Sequence, residues 1–144
     1  VNAEETEGQK SEEKSEKRYT GRILLAEDNE LNQEIAVAIL GNAGFTTEVA
    51  MNGKIAVEML EKSEPGYYQL VLMDVRMPVM DGYEATKLIR SLDNAKLSSI
   101  PILAMTANAF EEDRQEALRS GMNGHLAKPI DVEALFDALD KILK

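Results

Sequence analysis

Cysteine is absent from this chain, which excludes disulfides, zinc–thiolate sites and thiol chemistry. Long apolar runs are absent too. No stretch approaches the ~20 residues that span a bilayer, and no signal-peptide pattern occurs. Basic excess is missing: 16 Lys and Arg stand against 26 Asp and Glu, a formal net charge of -10. That leaves no basic surface for non-specific nucleic-acid binding. What remains is 44% hydrophobic and 29% charged, the balance of a globular protein. A length of 144 residues suits one domain with a real core. The expected setting is the cytoplasm, without membrane contact by this domain. The acidic excess suits a site for a divalent cation, most of the remaining charge being solvated surface.

Residues 1–20 are rich in Glu, Lys, Ser and Gln. Such a segment buries too little to offset the entropy of ordering, so it reads as a flexible charged linker. From Gly21 the pattern alternates. Arg22–Ala26 reads as a first strand, with Asp28 or Asn29 to cap the helix that follows. Leu31, Ile35, Ala38 and Ile39 share one helical face, and Gly41 and Gly44 stop the helix. Phe45–Ala50 is a second strand, polar enough for a sheet edge. Asn52 opens a helix with Ile55, Ala56, Met59 and Leu60 inward. Leu70–Asp74 is a third strand and Gly82–Leu92 a third helix. Ile100–Met105 is a fourth strand, ended by Thr106. A fourth helix carries Phe110, Arg114, Ala117 and Leu118. Gly124–Ala127 is a short fifth strand. Asp131 caps a last helix with Val132, Leu135, Phe136, Leu139 and Ile142 inward.

Five strands alternating with five helices imply a parallel sheet with right-handed crossovers and helices on both faces. The least apolar strands, the second and fifth, belong at the edges. The expected fold is α/β, a flavodoxin-like (βα)5 doubly wound sheet in strand order 2-1-3-4-5. The chain is organised around LVLMDVRMPVMDG, Leu70 to Gly82. It opens as a strand buried on both faces, and Asp74 ends that strand, where open parallel sheets place their ligands. Taken alone, Asp74 is equally well a helix cap.

The other strand ends weigh against that bland reading. The first strand is followed by Glu27 and Asp28, the fourth by Thr106 and the fifth by Lys128. In the expected order these side chains converge. Three clustered carboxylates repel one another, and a bound cation is the natural compensation. Hard oxygen ligands without His or Cys select magnesium or a similar ion. Lys128 and Thr106 add a positive charge and a donor opposite. The set suits an incoming phosphoryl group, with Asp74 placed to attack phosphorus and form an aspartyl phosphate.

These residues resemble the receiver domain of two-component response regulators. The matching pieces are ILLAEDN, LVLMDVRMPVMDG, PILAMTA and HLAKPI, in the family's order, over residues 21–144. The resemblance implies Mg2+-dependent phosphorylation of Asp74 by a histidine kinase phosphohistidine. It implies Mg2+ on Glu27, Asp28, Asp74 and the backbone carbonyl of Arg76. Thr106 and Lys128 would contact the phosphoryl group, and Lys128–Pro129 would be a cis peptide. Phosphorylation would switch the face built from the fourth helix, fifth strand and fifth helix. His125 stands where the family usually has a switch Tyr or Phe, three residues before the lysine. It fits a switch role and a structural edge-strand role equally.

A haloacid-dehalogenase-type phosphatase would need a second Asp two residues after the nucleophile, where Arg76 stands. A flavin binder would need a phosphate loop in place of EDNELN. A phosphorylation-independent dimerisation or adaptor module shares the fold but tends to lose site residues, and none is missing. The domain itself would catalyse only its own phosphorylation and dephosphorylation. The first residue, Val1, is no initiator methionine. The charged linker and the sequences EDNELNQ, AMTANAF and HLAKPI favour the carboxyl-terminal receiver of a bacterial hybrid sensor histidine kinase. That parent could be membrane-anchored. The expected partners are a histidine kinase domain and a histidine phosphotransfer domain, with a weak homodimer compatible.

Overall fold

The computed structural model describes residues 19–107, 111–128 and 130–143. Five strands form one sheet: β1 (Gly21–Ala26), β2 (Phe45–Ala50), β3 (Leu70–Asp74), β4 (Ile102–Thr106) and β5 (Gly124–Ala127). All neighbours pair parallel, in the order β2-β1-β3-β4-β5, as the polar character of the edge strands predicts. The connecting helices are α1 (Glu30–Ala43), α2 (Gly53–Lys62), α3 (Gly82–Arg90), α4 (Glu111–Ser120) and α5 (Val132–Leu143). One helical turn, Ala95–Ser98, precedes β4 and was not expected from the sequence. Asn94 caps it through the Lys96 N–H at 2.9 Å.

Strand alternation sorts the core into two layers. Leu24, Ala26, Val71, Met73, Ile102 and Ala104 face the side covered by α2, α3 and α4. Ile23, Leu25, Leu70, Leu72, Leu103 and Met105 face α1 and α5. Successive strand residues point to opposite faces, so an unbroken apolar run supplies both layers. Among the described residues no helix is long and apolar enough to cross a membrane.

Local signals set most helix starts. The side chains of Asn29, Asn52, Asp81 and Asp131 accept from the N–H groups of Asn32, Ile55, Glu84 and Ala134 at 2.8–3.0 Å. Each relieves one unpaired donor of the first turn. Asn29 rather than Asp28 is therefore the cap of α1. Gly41 does not end that helix, which runs on to Ala43 and closes at Gly44 with φ +115°. A left-handed terminal residue is where glycine is favoured. Strand β4 begins two residues later than expected, after Pro101, which has no N–H to give the ladder.

Three apolar assignments change. Leu31, Ile35 and Ala38 of α1 are exposed, and Ala36, Leu40 and Ala43 are the buried stripe. Two small residues on that stripe let the helix lie close to the sheet. Leu118 of α4 and Val132 of α5 are also exposed, while Ala117, Leu135 and Leu139 are buried. Phe110 lies outside the described residues, as does the expected linker apart from Tyr19 and Thr20. Tyr19 is buried, stacks on Phe45 at 5.2 Å between ring centroids and hydrogen-bonds Asp140 of α5.

Candidate functional site

The site lies where β1 and β3 send their following helices to opposite faces of the sheet, the switch point at which such folds bind ligands. Asp74 is the last residue of β3 and is 3% exposed. Its Oδ1 accepts from the Arg76 N–H at 3.2 Å, and its Oδ2 meets Lys128 Nζ at 3.1 Å. Both oxygens are thereby oriented. Glu27, one residue past β1, is 1% exposed. Its Oε2 accepts from the Asn29 N–H at 3.1 Å, and its Oε1 lies 3.5 Å from the same lysine nitrogen. One ammonium thus bridges two buried carboxylates from different strand ends.

Asp28 is exposed and completes a triad: one carboxylate oxygen from each of Glu27, Asp28 and Asp74 lies within 4.8 Å of the others. Only hard oxygen donors are present, matching a small divalent cation rather than zinc or copper. Thr106, the last residue of β4, is buried, and its carbonyl accepts from the Lys128 N–H at 2.7 Å. That bond holds the start of the β5–α5 connection against the end of β4. The structure therefore gathers Glu27, Asp28, Asp74, Thr106 and Lys128 at one end of the sheet.

The electrostatics follow from the burial. Burial pushes the Glu27 carboxyl above its ordinary range; the Asn29 N–H opposes this, and the charge of Asp74 adds to it. Burial pulls Lys128 down, yet the charges of Asp74 and Glu27 outweigh it and hold the ammonium above its ordinary value. A lysine held in its charged form is suited to pair with phosphoryl oxygens.

His125 is half-buried on β5, in register with Ala104. With Leu118, Ala134 and Ile142 it lines an open cleft of about 530 Å3 between α4 and α5. Arg76 is exposed, and its N–H donates to Asp74 Oδ1. Pro129 lies outside the described residues, and the expected cis peptide with it.

Sequence reasoning missed two supporting residues. Gln33 donates to the Glu27 carbonyl at 2.7 Å from the first turns of α1. Arg90 donates to the carbonyls of Gly121, Ser98 and Ile100 and to Asn123 Oδ1, at 2.7–2.9 Å. It ties the end of α3 to the segments entering β4 and β5. Basic residues at a helix carboxyl end are common, and nothing local marks this one out.

Fold and site define a flavodoxin-like α/β domain with a lysine-bridged acidic pocket at its switch point. The family profile described as "Response regulator receiver domain" matches residues 23–140. The chain is 44% identical over 118 residues to hybrid signal transduction histidine kinase B of Dictyostelium discoideum, covering 76% of this chain and 6% of that protein. It is 34% identical over 161 residues to histidine kinase 5 of Arabidopsis thaliana, covering 95% of this chain and 17% of that protein. The chain thus spans under a fifth of the length of the curated relatives it matches.

Among solved structures it is similar to the receiver domain of a Pseudomonas aeruginosa sensor histidine kinase, crystallised with a magnesium ion coordinated in the active-site cleft. That match has a TM-score of 0.74 and 40% identity, covering 85% of this chain and 97% of that one. It is also similar to the receiver domain of the Saccharomyces cerevisiae response regulator Ssk1, solved with the histidine phosphotransfer protein Ypd1. There the TM-score is 0.70 and the identity 32%, covering 81% and 84% of the two chains. The chain belongs to the response regulator receiver domain family and is a receiver domain of two-component phosphorelay signalling. Its relatives come from bacteria and eukaryotes alike, so membership does not imply the bacterial source expected from the sequence.

Proposed function

We propose that Asp74 is the phosphoacceptor of this receiver and that phosphohistidine on a partner protein is the donor. The observation that carries this is the Lys128 bridge between Asp74 and Glu27, at 3.1 and 3.5 Å, beside the exposed carboxylate of Asp28. A buried carboxylate ringed by charge control has the parts that phosphoryl transfer needs, which are positioning and neutralisation.

In the step, an Asp74 carboxylate oxygen forms the new bond to phosphorus. The P–N bond of the phosphohistidine breaks, and its electron pair returns to the imidazole nitrogen, which takes up a proton from solvent. Lys128 then exchanges one carboxylate partner for a phosphoryl oxygen. The Thr106 hydroxyl donates to a second. Mg2+, held by Glu27, Asp28, Asp74 and the Arg76 carbonyl, would supply charge neutralisation at the phosphoryl oxygens.

The phosphoryl group on Asp74 favours a state in which the Thr106 hydroxyl turns toward it. His125 turns inward in the same state, and the α4–β5–α5 face changes by a shift between existing populations. The parent is a hybrid sensor histidine kinase, and the onward partner is a histidine phosphotransfer protein. Relatives of both kinds support this, namely hybrid kinases and a receiver solved with Ypd1. The linker would act as a tether that raises the receiver's local concentration near its kinase.

The test is incubation with acetyl phosphate and Mg2+, acid quench and mass spectrometry. Wild type is expected to gain one phosphoryl group and Asp74→Ala none. Equal labelling of both would remove Asp74 from the role.

A further inference from the structure

Val79 has φ +70° and is the one residue other than glycine with positive φ among the described residues. Across it, the Met80 N–H donates to the Pro78 carbonyl at 2.7 Å. An i to i+2 hydrogen bond over a positive-φ centre is the rare, strained form of γ-turn. A β-branched side chain is the worst occupant of that conformation, and Gly or Asn would relieve it.

The rest of the loop imposes the turn. Gly82 N–H donates to the Val75 carbonyl at 3.1 Å, and Gly53 N–H donates to the Met80 carbonyl at 3.2 Å. A Cβ on Gly53 would lie 2.4 Å from the Met80 oxygen, and one on Gly82 would lie 2.4 Å from the Asp74 oxygen. Met77 is buried beneath. The loop is thus clamped between β3 and the start of α2, and its tip cannot relax.

The strained side chain contributes almost nothing to its own domain, since Val79 is 74% exposed. Strain kept at a rigid exposed position points to use outside the chain. The place narrows that use. Val79 sits in the connection leading away from Asp74. Exposed Leu31, in the first turn of α1, and Met51, in the connection after β2, sit at the same end of the sheet. Asp74 itself is sunk below this rim. A protein that brings a phosphohistidine to Asp74 must lay its surface on the rim.

We propose that Val79 is a fixed apolar prong that seats in a pocket of the histidine-phosphorylated partner and helps select it. This rests on the phosphoacceptor reading of Asp74. Three variants separate side chain from strain: Val79→Ala keeps the Cβ at positive φ, whereas Val79→Gly and Val79→Asn relieve it. The donor probe is phosphorylated Ypd1, with acetyl phosphate as the small-molecule control.

The expected result has three parts. All three variants label with acetyl phosphate within twofold of wild type. All three show a KM for phospho-Ypd1 about fivefold to tenfold higher, the factor supplied by burying part of a valine side chain. The Gly and Asn variants unfold roughly 3–5 °C higher than wild type. Unchanged transfer from phospho-Ypd1 would overturn the docking role, and so would a wild type that labels with acetyl phosphate but takes nothing from phospho-Ypd1. Parallel loss of acetyl phosphate labelling would place Val79 inside the site instead. A concentration-dependent mass in light scattering, lost in the variants, would assign the prong to a second copy of the chain. Failure of wild type to label with acetyl phosphate would fall on the phosphoacceptor reading itself.

Discussion

Lys128 Nζ stands 3.1 Å from Asp74 Oδ2 although 54 residues separate them in sequence, and the same nitrogen reaches Glu27. Removing it leaves two buried carboxylates facing each other. Lys128→Met is expected to cost about 1–3 kcal/mol in EDTA, less than a fully buried pair because the lysine is partly solvated. Without the ammonium, Glu27 gains protons more readily in the folded state, and a raised carboxyl loses stability as pH rises. The deficit should therefore be larger at pH 8 than at pH 5, as read by urea unfolding at both. A deficit independent of pH would argue that Lys128 acts only through packing.

Asp28 is the exposed member of the triad and serves the fold little. Asp28→Ala should leave metal-free stability within about 0.5 kcal/mol. A ligand that binds only the folded state raises the melting midpoint. The rise with added Mg2+ should shrink in this variant, and phosphorylation should fall with it. Unchanged Mg2+ affinity would remove Asp28 from the ligand set.

His125 lines the cleft between α4 and α5. His125→Ala should fold normally and still accept phosphate at Asp74. The NMR shift changes that phosphorylation produces along α4, β5 and α5 should weaken. If those changes persist in full, the histidine is a bystander and Thr106 acts without it.

Glu48 on the edge strand β2 accepts from the Tyr67 and Tyr68 hydroxyls at 2.6 and 2.7 Å. These bonds hold the carboxyl below its ordinary range. Burial first, and Glu48 second, hold the Tyr68 phenol above its ordinary 10.0. A depressed carboxyl contributes stability above 4.5 that is lost as pH falls through its folded value. A raised phenol contributes stability below 10.0 that is lost as pH climbs through its folded value. Tyr68→Phe should cost about 1 kcal/mol at pH 7. It should also flatten the alkaline loss of stability above 10.0, followed by denaturant titration.

Arg90 supplies four hydrogen bonds that tie the end of α3 to the segments entering β4 and β5. Arg90→Ala should cost about 2–3 kcal/mol, because three partly buried carbonyls lose a charged donor. Lysine should restore less than half, since an ammonium cannot reproduce the guanidinium fork. Amide hydrogen exchange at Met122 and Asn123 should quicken in both variants. Exchange that stays slow there would show that the turn before β5 holds without it.

Much of this was legible in the chain itself. Buried parallel strands appear as unbroken apolar runs, caps and turn residues act on their nearest neighbours, and the polar edge strands set the order. Those effects are local, so Glu27, Asp28, Asp74, Thr106 and Lys128 could be placed at strand ends from sequence alone. Only the tertiary structure decided which stripe of α1 is covered, because periodicity marks an apolar face but not the neighbour that buries it. Leu31 and Ile35 therefore face outward while Ala36 and Leu40 meet the sheet. The four acceptors of Arg90, the two phenols on Glu48 and the Lys128 bridge join residues far apart in the chain, and each exists only once the layers are packed. Val79 is the sharpest case: nothing in its own chemistry favours positive φ, and the clamp between β3 and α2 imposes it from outside.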